Sequence, residues 1–156
     1  MDDGLNKSDA NMSFAREIYD AAMRVSGVPW KARWMTAIAC LESGWGRHIP
    51  AGSFNCVGYE VPDAYAERWA WQYASEGGTG RKTRYRRFRD WDDCMSALFY
   101  LIEKSRLYRA SRDAATKAVR VLLFSRVYCP VNPGHGSLVL RIMRDLEEEG
   151  VGGELV

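Results

Sequence analysis

Histidine is nearly absent from this chain, with two in 156 residues, and no cysteine pair has the CxxC spacing of a zinc ribbon or a thioredoxin-type redox site. A zinc centre built from clustered Cys and His is therefore excluded, and the same scarcity leaves a Cys-His hydrolase little to work with. Long apolar runs are missing as well. The longest, Ala37 to Leu41 and Val121 to Phe124, fall far short of the roughly 20 residues that span a bilayer, so no membrane insertion is expected. The opening residues Met1 to Lys7 are polar and acidic, with no basic stretch followed by an apolar one, so no secretory signal is expected either. There is no GxSxG elbow and no phosphate-binding glycine loop. Net charge is small at +2, too little to imply a polyanion partner from the total alone.

What is present describes one soluble domain. At 47% hydrophobic and 27% charged, the composition excludes a disordered or fibrous chain. Six Trp, eight Tyr and five Phe suit a large core or a cleft that stacks flat ligands. The four cysteines Cys40, Cys56, Cys94 and Cys129 allow three two-disulfide pairings or free thiols, and spacing does not choose among them.

Residues 1–12 read as a flexible N-terminus. Ser13 is placed to cap a first helix with Phe14, Ile18, Ala22 and Val25 on its apolar face, ended by Gly27. Trp30 to Ser43 follows as a helix apolar on every side in its later part, which predicts a central buried element stopping at Gly44. A β lobe is expected over about 55–88. Trp69, Trp71 and Tyr73 alternate with polar or small residues, Glu76 to Gly80 make the turn, and Arg81 to Phe88 return. Helical spacing then resumes through Trp91, Cys94, Leu98 and Leu101, again through Ala115, Ala118 and Leu122, and finally through Leu138, Ile142 and Leu146 with Ser137 as cap. Residues 147–156 read as a flexible C-terminal tail. The fold class is α+β, mostly α: a single helical domain over 13–146 with a small β-hairpin lobe flanking a cleft.

Glu42 stands out because it follows an apolar run at the C-terminal end of a buried helix. Desolvation and the negative end of the helix dipole both oppose its charge there, which favours a protonated carboxyl able to act as a general acid. The alternative is a Glu that points outward toward Arg47 or water. Position alone leaves both open.

The run Ala37 to Gly46, containing Glu42-Ser43-Gly44-Trp45-Gly46, resembles the ESGWG signature of the glucosaminidase family (glycoside hydrolase family 73). Asn55 to Glu60 resembles its NLFGIK segment, Phe88 to Cys94 its FRxYxSxxES segment, and Tyr128 to His135 its YATDPxY segment, in the same order and over about residues 14–146. The resemblance implies a lysozyme-like fold and hydrolysis of the β-1,4 bond after N-acetylglucosamine in peptidoglycan, without a cofactor. It implies Glu42 as catalytic acid.

A second carboxylate belongs on the β lobe, where Tyr73 to Glu76 resembles the family's TxE piece. Glu76 is the expected residue, with Glu60, Asp63 and Glu67 as competitors. Trp45, Asn55, Trp71, Tyr73 and Tyr128 are the expected substrate-binding side chains. Two departures stand out: Asn132 occupies the place of the usual Asp, and His135 replaces the second tyrosine, where it reads as a loop residue without a catalytic task.

Six of the 22 basic residues fall between Arg81 and Arg89. They read as a solvated strand edge or an attraction for acidic wall polymers, with nucleic acid not expected as a partner. The expected partner is the glycan strand, plus an immunity protein if the chain is a secreted effector. Without a signal the chain would reach the wall or periplasm by lysis, in a virion or through a dedicated secretion system. The competing readings are a lytic transglycosylase and a noncatalytic wall-binding or structural part of a phage tail or secretion apparatus.

Overall fold

Helix α1 (Asp9–Ser26) begins where the Ser8 hydroxyl accepts the Asn11 N–H at 3.2 Å and ends at Gly27, whose φ of 65° lets its N–H turn back to the Met23 carbonyl. The computed structural model describes residues 8–75 and 82–152. The cap is thus Ser8, not Ser13, and residues 9–12 are helical rather than flexible. Asn11 and Met12 are already buried, so the extra turn adds to the core.

Helix α2 (Pro29–Ser43) is the centre of the fold. Pro29 opens it without losing a needed N–H, and ten of its 15 residues are buried. Trp34, Met35 and Ala37 to Cys40 have no exposed surface at all, because α1 and two later helices, α3 (Trp91–Glu103) and α6 (His135–Glu148), pack against it. The expected all-round burial is what the structure contains.

Strands β1 (Trp71–Ser75) and β2 (Lys82–Arg86) pair antiparallel, with Trp71 opposite Arg86 and Ser75 opposite Lys82. The sheet is shorter than the alternation predicted. Trp69 belongs to a preceding turn closed by its N–H to the Tyr65 carbonyl, and Phe88 leaves the strand to bury its ring while its N–H bonds to Ser53. A single bridge from Glu60 to Tyr85 adds a third chain segment to the lobe.

Helix α3 (Trp91–Glu103) is capped by Asp90, a short α4 (Arg109–Arg112) follows, and α5 (Lys117–Tyr128) is capped by Thr116. Aromatic rings join these helices to α2. Phe124 meets Trp34 edge-on at 5.3 Å and lies between Tyr108 at 4.2 Å and Tyr128 at 5.4 Å.

Helix α6 (His135–Glu148) starts before the expected Ser137 cap. The Asn132 side chain accepts the Gly134 N–H, which sets up the first turn and brings His135 into the helix. At its other end the expected tail is largely structured: α6 includes Glu147 and Glu148, and Val151 is buried. Residues 153–156 lie outside the described part. All four cysteines are free, with the Cys56 and Cys94 sulfurs facing each other at 3.7 Å in the core. Among the described residues no helix is long and apolar enough to cross a membrane.

The turn after α2 determines where Glu42 sits. Gly44, Trp45 and Gly46 all have positive φ (57°, 60° and 87°), so the chain reverses within three residues. The Ser43 hydroxyl closes it, donating to the Ala39 carbonyl at 2.6 Å and accepting the Gly46 N–H at 2.9 Å. A β-carbon on Gly46 would fall 2.6 Å from the Phe14 ring, whereas one on Gly150, also at positive φ (73°), would meet nothing within 4 Å. Gly150→Ala should therefore cost about 1 kcal/mol from backbone strain alone, and Gly46→Ala about 3 kcal/mol from strain plus collision. Urea denaturation of the two variants checks the difference; equal costs would mean that the Phe14 contact is unimportant.

Candidate active site

Glu42 projects from the last turn of α2 into a cleft of about 540 Å³. The Val57 to Glu60 segment forms one wall, and Tyr108, Tyr128 and the Cys129 to Val131 loop form the other. The carboxyl is not buried as the apolar run suggested, since its side chain keeps 27% of its surface exposed. Glu42 is the exposed residue of the last turn, between a partly buried Leu41 and a buried Ser43.

One carboxylate oxygen of Glu42, Oε1, lies 2.7 Å from Nε2 of His135, and the other ring nitrogen of that histidine lies 3.0 Å from the Ser125 hydroxyl. Oε2 faces Gly58, where an added β-carbon would stand 3.9 Å from it. His135 is 2% exposed. It is a buried helix residue in contact with the candidate acid, which corrects its reading as a loop histidine. The sequence signal for it was the departure itself, a polar imidazole in place of the family's tyrosine.

Tyr128 does border the cleft, but its hydroxyl is committed. It donates to the Val57 carbonyl and so ties the opposite wall to α5. Burial, reinforced by the Glu42 charge, pushes its phenol well above the ordinary range, so it remains a neutral donor.

The other expected residues are distributed differently. Glu76 lies outside the described residues. Asn55 is buried and fully used: its Nδ2 donates to the carbonyls of Tyr59 and Arg86 at 2.9 and 3.0 Å, and its Oδ1 accepts the Tyr59 N–H at 2.9 Å. It clamps the lobe and has no polar atom left for a sugar. Trp45 is not in the cleft wall and packs against the core instead.

Trp71 and Tyr73 meet edge to face at 4.9 Å on β1, outside the Glu42 cleft. Trp71 also donates its indole N–H to Ala66 and carries the Arg84 guanidinium at 5.4 Å, while Tyr73 borders an outer hollow with Glu60, Asp63 and Arg84. Of the competing carboxylates, Glu60 lines the cleft with Glu42, Asp63 is paired with Arg84 at 2.6 Å, and Glu67 is exposed.

Sequence reasoning passed over Tyr65 and Tyr100, which with Trp69 make a second aromatic surface. A groove of about 650 Å³ continues from the cleft through the shared Tyr59 and Glu60 and is bordered by Tyr65, Trp69 and Tyr100. Tyr65 and Trp69 stack at 4.6 Å, and Arg86 lies 4.1 Å above Trp69. Tyr100 was legible as an aromatic off the inner stripe of α3, and it is 58% exposed. The basic run is partly neutralised here: Arg84 and Arg89 pair with Asp63 and Asp93, and Arg86 is held by rings.

Comparison with known proteins agrees with this arrangement. The model of the glucosaminidase family, described as mannosyl-glycoprotein endo-beta-N-acetylglucosaminidase, matches residues 16–148. The chain belongs to the glucosaminidase family. It is a glycoside hydrolase with a lysozyme-like fold. Its fold is similar to that of the glycoside hydrolase domain from Salmonella typhimurium FlgJ, at 19% identity and TM-score 0.67, covering 91% of each chain. The peptidoglycan hydrolase from Sphingomonas sp. A1 is similar at 14% identity and TM-score 0.71, with 93% of this chain and 96% of that one covered. The catalytic domain of the autolysin Auto from Listeria monocytogenes has TM-score 0.67 at 14% identity, over 92% of this chain and 88% of that one. No curated protein sequence matches the chain.

The Asn55 clamp makes a prediction that separates it from a sugar ligand. Asn55→Ala removes three hydrogen bonds from a buried site and should lower stability by about 3 kcal/mol, at roughly 1 kcal/mol per bond. Hydrogen exchange at the Tyr59 amide should rise with it. Unchanged stability with a raised KM would instead make Asn55 a substrate-binding residue.

Proposed function

We propose that this glycoside hydrolase cleaves the glycan strands of bacterial peptidoglycan at the β-1,4 bond that follows N-acetylglucosamine, acting in the cell wall or periplasm. The observation that carries the reading is the setting of Glu42: a solvent-accessible carboxyl at the rigid end of a buried helix, at the base of a cleft that continues into a groove with exposed aromatic faces. Sugar rings stack on such faces through their C–H surfaces. The family match and the similarity to a peptidoglycan hydrolase support the substrate class.

In this mechanism Glu42 protonates the glycosidic oxygen as the C–O bond breaks, and a second carboxylate stabilises the oxocarbenium-like transition state or activates water. Glu76 is proposed for that second role from its resemblance to the family's motif. Glu60, which shares the cleft with Glu42, is the competitor within the described residues. The groove aromatics, rather than Trp71 and Tyr73, are proposed to carry the sugars flanking the scissile bond.

Glu42→Gln should lower the rate of clearing of purified cell walls by about 10²- to 10⁴-fold, the usual contribution of a general acid, while binding to the walls persists. Full clearing by that variant would remove Glu42 from its role. Glu76→Gln and Glu60→Gln, assayed side by side, identify the second carboxylate: a loss of 10²-fold or more on the order of the acid variant is expected for Glu76 and less than about fivefold for Glu60. The reverse ranking would transfer the role to Glu60.

A further inference from the structure

Ser125, His135 and Glu42 form a polar chain that links two helices to the candidate acid, and nothing in the proposed reaction yet uses it. The Ser125 side chain is buried, and its hydroxyl pairs with Nδ1 of His135 at 3.0 Å. The comparable hydroxyls of Thr36 and Ser43 instead donate to the carbonyl four residues back. A hydroxyl that donates to Nδ1 leaves the ring proton on Nε2. In that tautomer Nε2–H, 2.7 Å from Oε1 of Glu42, is the donor of the pair.

With Oε1 occupied as an acceptor, the exchangeable proton of the acid belongs on Oε2, the oxygen that faces Gly58 across the cleft. From these contacts we infer that His135 is a positioning residue for catalysis, holding Glu42 so that Oε2 presents the proton to the glycosidic oxygen. This rests on the reading of Glu42 as the general acid.

The hydrogen bond also strengthens as the reaction proceeds. Before transfer, Nε2–H donates to a neutral carboxyl; afterwards it donates to a carboxylate, a charge-assisted bond about twice as strong. The gain is realised as the proton leaves, so it lowers the barrier rather than tightening ground-state binding.

Packing keeps the chain in register. A β-carbon on Gly136 would stand 2.9 Å from Leu122 Cδ2 and 3.2 Å from both Leu122 Cα and Ser125 Cβ, so the glycine permits the close approach of α6 to α5 that brings His135 to Ser125. The ring is further held by Tyr128, tilted at 5.8 Å.

The titratable groups around the pair are few. Tyr128 of α5 faces Glu42, with Tyr108, Cys56 of the loop and Cys94 of α3 behind it. Glu60 and Cys129 line the same cleft, and among the described residues no Lys or Arg does. Replacing the histidine therefore changes the one nitrogen donor in contact with Glu42 among the described residues.

The test compares His135→Ala with His135→Gln on soluble glycan strands, with Glu42→Gln run in parallel. His135→Ala should lose about 10- to 100-fold in kcat with KM within twofold, as expected for loss of a hydrogen bond to a charged group. The alkaline limb of its kcat profile should move to higher pH, because the bond that favours the carboxylate is gone. His135→Gln, whose amide N–H reaches the same place, should recover kcat to within about fivefold and return the limb toward that of the parent.

If His135→Ala retains kcat within twofold, or both variants fall equally with the limb unmoved, His135 only fills space and the inference is wrong. Should His135→Ala not fold, nitrogen NMR of the parent protein decides near neutral pH. Protonated Nε2 with bare Nδ1 supports the inference, and any other pattern overturns it. An active Glu42→Gln enzyme would overturn the acid itself, whereas an inactive one beside an unaffected His135→Ala would overturn the positioning role alone.

Discussion

The sealing of α2 is the constraint on which the rest depends. A helix buried on every side cannot rotate or slide without opening cavities against Trp34, Ile38 and their neighbours, and each lost large side chain contact there costs several kcal/mol. Its final turn is therefore held as rigidly as the core. Ser43 and the three left-handed residues after it stop the helix at a defined point, with Glu42 the exposed residue of its last turn. A carboxyl supported in this way needs little reorganisation to meet a substrate, the condition for effective proton transfer.

The same core carries the partners of that carboxyl. Helix α6 packs along α2 and against α5, so Glu42, Ser125 and His135 converge from three elements that share one hydrophobic interior. The β lobe joins that interior through Cys56, Val57 and Phe88, and polar and cationic contacts hold its own segments together. Asn55 bridges two of its segments, Tyr128 ties its Val57 edge to α5, and Arg86 lies over the rings of Tyr59, Trp69 and Phe88. Both walls of the cleft thus rest on the core, and the Tyr128 hydroxyl links one to the other.

Much of this was legible in the residues because it depends on local periodicity. The all-apolar stretch Ala37 to Leu41 identified the central helix, Gly27 and Gly44 marked the ends of the first helix and of that central one, and the alternation around Trp71 identified the hairpin. The site was legible only where a motif was also local, as at Glu42. Asn55 looked like a sugar ligand because an Asn in a matched motif does not reveal that its amide is consumed by Tyr59 and by Arg86, 31 positions away. His135 was missed for the same reason: its partner Glu42 is 93 positions distant, and the helix start that buries it depends on Asn132 and Gly134 rather than on the Ser137 cap signal. The groove formed by Tyr65, Trp69 and Tyr100 joins one turn of the lobe to α3, 31 positions on from Trp69, so no local period marks it.

The account stands most directly on the bond that is broken. Purified peptidoglycan digested with this protein and analysed by mass spectrometry should release fragments ending in reducing N-acetylglucosamine, with one solvent oxygen incorporated at each new end when the digestion is run in labelled water. Anhydro-sugar ends without solvent oxygen would make the chain a lytic transglycosylase, and undigested wall with protein bound to it would make it a binding component; either result contradicts hydrolysis at Glu42.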